Sequence, residues 1–266
     1  MMSMNGMILD GLELEDVVPG ETRKGDVVVA DYVGPAAGEC DELLDRLCSL
    51  LNTRVPMEPQ ADWKVPIAVL KAIYAHLYIA WIHPFGDGNG RTARLLELRI
   101  LRSAGVPDVA AHLLANHYNE TRMAYYRALS RASKDRDHGV AAFVEYAIEG
   151  LRDGLQTAID RVLDVVTEVT YRDFVFQSFG KVSGVPERRR RDLALHLGTF
   201  HRTGASEADL LRPGSIGEFL YRDKTPATLR RDLRFLRDVG LIRRQGDRHY
   251  AALSIMDSFK PMVAGA

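Results

Sequence analysis

Residues 83–94 read HPFGDGNGRTAR, and this stretch decides the fold because it joins two helical segments through a glycine-rich turn. Gly86, Gly88 and Gly90 permit backbone angles that other residues avoid, so successive N–H groups can converge on an anion. The helix that follows directs the positive end of its dipole at the same place. The stretch therefore predicts a phosphate-binding turn at the start of a helix.

Four side chains in the same stretch add chemistry to that turn. Arg91 and Arg94 are three residues apart, so they share one helix face and can clamp a polyphosphate. Asp87 offers a hard oxygen of the kind that Mg²⁺ prefers when it bridges phosphates. His83 is the only side chain of the stretch that can serve as a general base near neutral pH. Together these residues indicate nucleotide transfer to a hydroxyl.

Apolar residues recur at helical spacing on both sides of the turn. The spacing predicts a largely buried helix over 65–82 and a second helix from about 91 to 103. Further helices are predicted over 39–51, 117–132 and about 139–176. The sequence thus favours a mainly α fold around the turn.

The stretch resembles the signature of the Fic family, HxFx(D/E)GNGRxxR, at every position. The resemblance implies a protein adenylyltransferase, which transfers AMP from ATP to a Ser, Thr or Tyr hydroxyl of a target protein. It implies that His83 deprotonates the target hydroxyl, that Asp87 holds Mg²⁺ and that Phe85 anchors the loop. The phosphate cradle implied by the family consists of Gly86, Gly88, Asn89, Gly90, Arg91 and Arg94.

Two further residues gain an interpretation from the resemblance. Tyr126, in the segment AYYRAL, matches a family position near the adenine, although an aromatic packing role is equally open. His76 lies seven residues before His83 on the same helix face. We interpret it as a core histidine and not as a ligand, because the sequence shows no acidic or cysteine partner for it.

Residues 27–33 (VVVADYV) are β-branched and bounded by Gly25 and Gly34, so they predict one strand that forms an arm of a hairpin. This strand resembles the flap of the Fic family, whose edge can pair with an extended target segment. The alternative is an ordinary solvent-facing strand. The predicted target-binding residues are Val29, Ala30, Asp31 and Tyr32.

Charge is distributed unevenly along the chain. Residues 186–256 hold 15 Lys and Arg against 9 Asp and Glu, a net charge of +6, whereas residues 1–185 hold 19 against 26, a net charge of −7. A basic segment on an acidic body suggests an anionic partner, with nucleic acid first among the candidates. A solvated arginine-rich surface is the alternative.

The basic segment carries a helix signal over 225–239, with Thr225 as N-cap and Pro226 at the first position. Strand, turn and strand patterns follow, and the whole is similar to a winged helix-turn-helix, which Fic proteins often carry. The DNA hypothesis assigns contacts to Thr228, Arg231, Arg234, Arg243, Arg244 and Arg248. The alternative is a module for protein docking or dimer formation.

Composition sets the remaining limits. The 266 residues are 46% hydrophobic and 27% charged, as in a globular protein, and we expect no membrane partner because no uninterrupted apolar run reaches the length of a span. No signal peptide is evident, and two cysteines favour a reducing, cytoplasmic location. The predicted organisation is a Fic-type domain with a hairpin flap (1–180), a linker (181–188), a winged-helix domain (189–256) and a tail (257–266).

Regulation and the exact reaction stay open at this point. Many Fic proteins carry an inhibitory helix with the pattern (S/T)xxxE(G/N), whose Glu pairs with the arginine at position 94; no clean match is found here. A separate inhibitory partner, a missing N-terminal part or an unrestrained enzyme are the alternatives, and a homodimer is also open. Alternative functions are γ-phosphate transfer, removal of AMP, and a DNA-binding regulator that senses nucleotide without turnover.

Overall fold

The computed structural model describes residues 1–14, 17–29, 32–54, 56, 60–135, 138–182 and 184–253. Helices dominate these residues and two small antiparallel hairpins complete them, which confirms the predicted mainly α fold. The Cα positions separate into two compact units, Met1–Ala158 and Ile159–Ala266. The predicted tail at 257–266 lies outside the described residues.

The first unit is a helical bundle with a short hairpin. Its elements are α1 (Met2–Leu9), β1 (Val28–Val29), β2 (Tyr32–Val33), α2 (Cys40–Asn52), α3 (Ala61–Ile82), α4 (Asn89–Ser103), α5 (Asp108–Ala111), α6 (Leu113–Glu120), α7 (Arg122–Lys134) and the first part of α8 (Gly139–Phe179). Helices α3 and α4 form the largest packing interface of the unit. Ile73, Leu77, Leu101, Leu114 and Phe143 are fully buried between them and the later helices.

Two helices of this unit differ from the sequence prediction. The helix predicted over 117–132 is divided at Thr121, whose hydroxyl donates to the His117 carbonyl at 2.7 Å and whose backbone leaves the helical region. Helix α1 was not predicted because its residues show no amphipathic spacing. Its packing against α4 stabilises it instead, as is usual for a helix of only two turns.

The flap differs as well. The single strand predicted over 27–33 is wrong, because this segment is itself a hairpin in which Val28 pairs with Val33 and Val29 with Tyr32. Arg23 explains the fold-back, since its guanidinium donates to the carbonyls of Gly25 and Pro35, which flank the two strands. The predicted flap residues Ala30 and Asp31 lie outside the described residues.

Helix α3 is long and apolar enough, by composition, to cross a membrane, with a mean hydropathy of 1.6 over its most apolar window. The sequence shows no uninterrupted apolar run of that length, because Lys71 and His76 lie within this helix. Half of the window is buried inside the chain, and buried residues such as Ala72, Ile73 and Leu77 lie in the core of the first unit. These features are those of a core helix.

The second unit combines helices with the second hairpin. Its elements are the rest of α8, α9 (Val185–Gly198), α10 (Glu207–Leu210), α11 (Ile216–Tyr221), α12 (Pro226–Asp238), β3 (Ile242–Gln245) and β4 (Arg248–Ala251). Leu193, Leu229 and Leu236 are buried in its core, and the buried Tyr171 of α8 donates to the Leu241 carbonyl at 3.0 Å. Val239, the residue that follows the last turn of α12, is 48% exposed.

The linker predicted at 181–188 is only partly free of regular structure. Helix α9 begins at Val185, where Pro186 occupies the first turn and Glu187 accepts a hydrogen bond from the Gly184 N–H at 3.3 Å. The first turn of a helix leaves its N–H groups without intrahelical partners, so a proline, which has no N–H, is tolerated there. Pro186, which contributed to the linker prediction, therefore lies at the start of a helix. The compact units separate earlier, at 158/159, within α8.

Candidate active site

The proposed base, His83, ends α3 in an unusual backbone conformation. Its φ of 46° and ψ of 54° place it in the left-handed region, and it is the one described residue other than glycine with a positive φ. Such a conformation costs about 1–3 kcal/mol and persists only where surrounding contacts impose it. Here the His83 N–H donates to the Ile79 carbonyl at 2.9 Å, which closes the helix and turns the chain into the glycine-rich loop.

Arg23 supplies the contacts that fix this conformation. Its Nε donates to the His83 carbonyl at 2.9 Å, and one terminal nitrogen lies 3.5 Å from the Ile82 carbonyl. Its backbone N–H donates to the Pro84 carbonyl at 2.8 Å. Because the same guanidinium also holds both flanks of the flap, one buried side chain joins the flap to the residue that carries the imidazole.

The imidazole of His83 is suited to accept a proton. Burial of the ring lowers its pKa below the usual 6.5, the nearby Ala80 carbonyl opposes this shift, and the positive charge of Arg23 adds to it. The side chain is therefore neutral at pH 7. Its Nδ1 is shielded from solvent, so Nε2 is the ring nitrogen left to meet an incoming hydroxyl.

The predicted anion site lies at the start of α4. Thr92 donates the first intrahelical hydrogen bond, to the Gly88 carbonyl at 2.8 Å, which leaves the N–H groups of residues 89–91 to an external acceptor. Gly88 has a φ of 79°, and a Cβ at this position would lie 3.0 Å from the Asn5 amide nitrogen. The turn therefore requires glycine both for its backbone angle and for its packing.

The side chain of Asn89 bonds within the loop that forms the predicted cradle. Its amide oxygen accepts from the Phe85 N–H at 2.9 Å and its amide nitrogen donates to the Phe85 carbonyl at 2.8 Å. Both ends of the buried side chain are thus used within the loop. Asn89 shapes the cradle and Phe85, 1% exposed, anchors it as predicted.

Asp87 and Arg91 form an ion pair at the rim of the cradle. One carboxylate oxygen lies 2.8 Å from the Arg91 guanidinium, and the other accepts from the Gly88 N–H at 2.5 Å. The Gly88 hydrogen bond lowers the pKa of Asp87 most, burial opposes it to a lesser extent, and the hydrogen bond and charge of Arg91 lower it further. A half-exposed, ionised carboxylate beside a phosphate site fits Mg²⁺, which takes few protein ligands and completes its shell with water and phosphate oxygens.

These groups line one cavity of about 440 Å³, large enough for a nucleotide. The predicted site residues that line it are His83, Gly86, Asp87, Gly88, Asn89, Gly90, Arg91, Arg94 and Tyr126. Tyr126 is 44% exposed, and the Arg122 guanidinium lies 5.8 Å from its ring centre. Among the described residues no carboxylate pairs with Arg94.

A buried polar cluster behind this cavity was not predicted. His76 Nδ1 lies 3.1 Å from a Glu97 carboxylate oxygen, and its Nε2 is 2.8 Å from the Tyr125 hydroxyl. The premise that His76 has no acidic partner is therefore wrong, because Glu97 reaches it from α4, where sequence spacing gives no sign of the pairing. Burial raises the pKa of Tyr118 and Tyr125, so both line the cavity as neutral phenols.

Asn5 is a second residue that the sequence did not reveal. It is fully buried on α1, donates to the Asp87 carbonyl at 2.9 Å, approaches the Thr92 hydroxyl at 3.3 Å and accepts from the Gly20 N–H at 3.0 Å. It thereby ties α1 to the loop that carries the phosphate site. A lone Asn in an apolar segment is the only signal that could have marked it.

The nucleic-acid candidates of the second unit fall into two groups. Arg231, Arg234, Arg243 and Arg244 are exposed on α12 and β3, and none pairs with a carboxylate in the part of the chain that the structure describes. Arg248 instead donates to the Thr203 and Gly204 carbonyls and lies 3.1 Å from Asp209. Its guanidinium is thus held within the second unit, and its phosphate contact stays a prediction. The half-buried Thr228 lies 3.3 Å from the Thr225 hydroxyl.

Part of the positive charge of this unit is neutralised internally. Arg189 and Arg190 each lie 2.8 Å from the buried Asp232, which also accepts from the Tyr221 hydroxyl at 3.0 Å. Asp232 therefore keeps a lowered pKa despite its burial. These arginines hold α9 against α12 and are not available to an anionic partner.

Comparison with known proteins agrees with this geometry. Residues 2–101 match the model of the Fic/DOC family. The chain is 30% identical over 203 residues to Protein adenylyltransferase Fic of Aedes aegypti, covering 76% of this chain and 36% of that protein. It is 33% identical over 114 residues to the protein of the same name from Nematostella vectensis, covering 43% and 24%.

A Fic family protein from Desulfovibrio desulfuricans G20 is similar in structure, with a TM-score of 0.49 and 21% identity over 98% of this chain and 65% of that one. The chain spans about a third of the length of the curated relatives it matches. The matched segment contains α1, the flap, the base and the whole phosphate cradle. Residues 2–101 of this chain are therefore similar to the Fic/DOC family over the segment that carries the predicted site.

Proposed function

We propose that this chain is a protein adenylyltransferase that moves AMP from ATP to a hydroxyl of a target protein. The observation that carries the proposal is the neutral imidazole of His83 beside an anion site built from helix N–H groups and two arginines. The curated relatives are named for the same activity. A pocket that only sensed nucleotide would need no base, and nothing would select for the strained backbone that presents one.

In this proposal ATP lies with its phosphates at the start of α4. The N–H groups of residues 89–91 donate to the anionic oxygens, and Arg91 and Arg94 add charge-assisted hydrogen bonds. Tyr126, on the opposite wall of the cavity, offers an aromatic face to the adenine. Arg91 exchanges its Asp87 partner for phosphate as the nucleotide enters.

The reaction is a displacement at the α-phosphorus. The target hydroxyl oxygen forms the new bond to phosphorus while its proton passes to Nε2 of His83. The bond between the α-phosphorus and the oxygen that bridges to the β-phosphate breaks, and its electron pair leaves with pyrophosphate. The imidazolium then releases its proton to solvent, which its lowered pKa favours.

Asp87 is the residue that would hold Mg²⁺ in this site, and the ion would neutralise charge on the phosphates. The carboxylate oxygen that now pairs with Arg91 would become available to the ion once Arg91 turns to the phosphates. We also propose that the flap, through Val29 and Tyr32, presents an extended target segment to the base.

Labelled ATP tests the proposal. The full chain with Mg²⁺ and a cell lysate whose own kinases have been inactivated should transfer label from [α-³²P]ATP, and none from [γ-³²P]ATP, to protein. Label from the γ position alone would make the enzyme a phosphotransferase. Nucleotide binding without label on any protein would support the sensing regulator, and release of AMP from a pre-labelled target would support the reverse reaction.

We further propose that the second unit binds DNA through α12 and β3. The supporting observation is the set of four exposed arginines that remain free of carboxylates among the described residues, namely Arg231, Arg234, Arg243 and Arg244. A gel-shift assay with duplex DNA over a salt series tests this, because Arg231→Gln and Arg234→Gln should each remove a phosphate contact and lower the salt slope by about one. Equal binding by wild type and variants would contradict it.

A further inference from the structure

A second cavity adjoins the nucleotide pocket, and we propose that it binds an extended acidic segment of the target protein beside the hydroxyl that is modified. We call it the α7 groove; it has a volume of about 450 Å³. Its apolar lining consists of Val29 and Tyr32 from the flap, Trp81 from α3, and Met123, Tyr126 and Leu129 from α7. The inference rests on the proposed adenylyltransferase function.

The α7 groove leads to the reacting centre. Tyr126 lines both the groove and the nucleotide cavity, so the two spaces share a wall. Trp81 precedes His83 by two residues at the end of α3. A peptide held between the flap and α7 therefore passes the imidazole and the nucleotide in one path.

The surface of the groove is apolar and adaptable. Met123 is 69% exposed, whereas Trp81 and Leu129 are half-buried and form a firmer floor. A flexible thioether beside aromatic rings accommodates side chains of different shapes. The groove thus suits one aliphatic or aromatic residue of the segment, in the way that ligand pockets combine an apolar lining with a few polar groups.

The outer edge of the groove is positively charged. Arg127, Arg131 and Lys134 line it at spacings of four and three residues, so they form one row along α7. All three are exposed, and none pairs with a carboxylate among the described residues. A partner with acidic side chains complements this row.

The dimensions limit where those acidic residues lie. From Arg127 to Lys134 the helix rises about 10 Å. An extended chain covers that distance with about three residues. The segment therefore carries its acidic residues over about three consecutive positions, on one side of the hydroxyl-bearing residue.

A peptide array tests this with the full chain, Mg²⁺ and [α-³²P]ATP. Extended peptides contain a central Thr and one Leu, with three consecutive Glu, Gln or Lys on either side. We expect the Glu peptides to be labelled about tenfold faster than the Gln peptides, and the Lys peptides more slowly still. In Arg127→Glu/Arg131→Glu the order should reverse. Arg99→Glu, an exposed charge change on α4, is the matched control and should keep the wild-type order.

Two results would overturn the α7 groove assignment while leaving AMP transfer intact. One is equal labelling of the Glu, Gln and Lys peptides by the wild-type chain. The second result concerns the case in which lysate proteins are labelled but the peptides are not. If Arg127→Glu/Arg131→Glu then labels the same set of lysate proteins as the wild-type chain, the groove does not select the target. Absence of α-label on peptides, lysate and the chain itself would instead count against the proposed function.

Discussion

At the scale of single residues, the site depends on a histidine whose backbone and ring are both constrained. His83 lies in the left-handed region, and burial keeps its imidazole neutral at pH 7. The backbone conformation follows because the chain must leave α3 and enter the loop at this residue. The lowered pKa follows from burial of the ring, with the charge of Arg23 nearby. Composition or spacing in the sequence shows neither.

The lowered pKa of His83 sets the pH dependence of the reaction. The base must be unprotonated, and a pKa below 6.5 keeps it so to lower pH than a free histidine would be. We expect kcat/KM for AMP transfer to be flat from pH 7 to 8 and to decline only below pH 6.5. A profile measured on a peptide acceptor checks this, and a decline that begins above pH 7 would contradict it.

Much of the residue-scale chemistry could be predicted, because the motif 83–94 is contiguous and its chemistry is local. The side chains that support it could not, since Asn5, Arg23 and Glu97 reach the site from separate elements. Contacts between residues so distant in sequence leave no periodic pattern. The same reason explains why the sequence showed no sign of the internal contacts of Arg248, whose partners lie some 40 residues earlier.

At the scale of elements, the loop is held from two sides, by α1 through Asn5 and by the flap through Arg23. The sequence predicted the helices that flank the loop because their apolar spacing is long and regular. Sequence patterns did not predict α1 and misassigned the flap, because both elements are short and depend on the polar side chains of Asn5 and Arg23. Each therefore yields a separate prediction.

Arg23 is a positioning residue for His83 and the flap. We expect Arg23→Ala to lower kcat at least tenfold while ATP affinity stays near that of wild type, because Arg23 does not line the nucleotide cavity. Arg46→Ala removes an exposed arginine of α2 and is the matched control. Calorimetric titration of ATP beside initial rates measures the split, and a fall in affinity equal to the fall in kcat would show that Arg23 acts only through folding.

Asn5 stabilises the first unit through its buried amide. We expect Asn5→Ala to lower the free energy of unfolding by about 2–4 kcal/mol, since the Gly20 N–H and the Asp87 carbonyl lose a buried partner. Chemical denaturation monitored by circular dichroism measures this. The exposed Asn52→Ala variant is the control, and equal stability of the two variants would show that α1 does not secure the loop.

At the scale of the whole molecule, the division into two compact units can be compared with the linker that the sequence predicts. Gly, Ser and Pro residues suggested a linker at 181–188, but the units separate at 158/159 inside α8. Helical periodicity continues through this point, so no turn signal marks it. Tyr171 and Val175 of α8 belong to the core of the second unit.

Truncation tests that boundary. A chain ending at residue 185 keeps Tyr171 and Val175 without the helices that cover them, whereas a chain ending at 158 removes both. We expect the longer fragment to bind an apolar dye and aggregate, and the shorter one to stay monomeric and bind ATP. Light scattering and dye fluorescence measure the difference. A monomeric, dye-free 1–185 fragment would place the boundary at the linker instead.

The AMP transfer proposed for the whole molecule depends on His83 acting as the base without being part of the nucleotide cradle. One comparison of wild type with His83→Ala examines both halves of this role, using transfer from [α-³²P]ATP to lysate proteins together with calorimetric ATP binding. We expect α-label on protein with wild type, none with the variant, and equal ATP affinity for both. Undiminished labelling by His83→Ala, or failure of that variant to bind ATP, would contradict the role assigned to this residue.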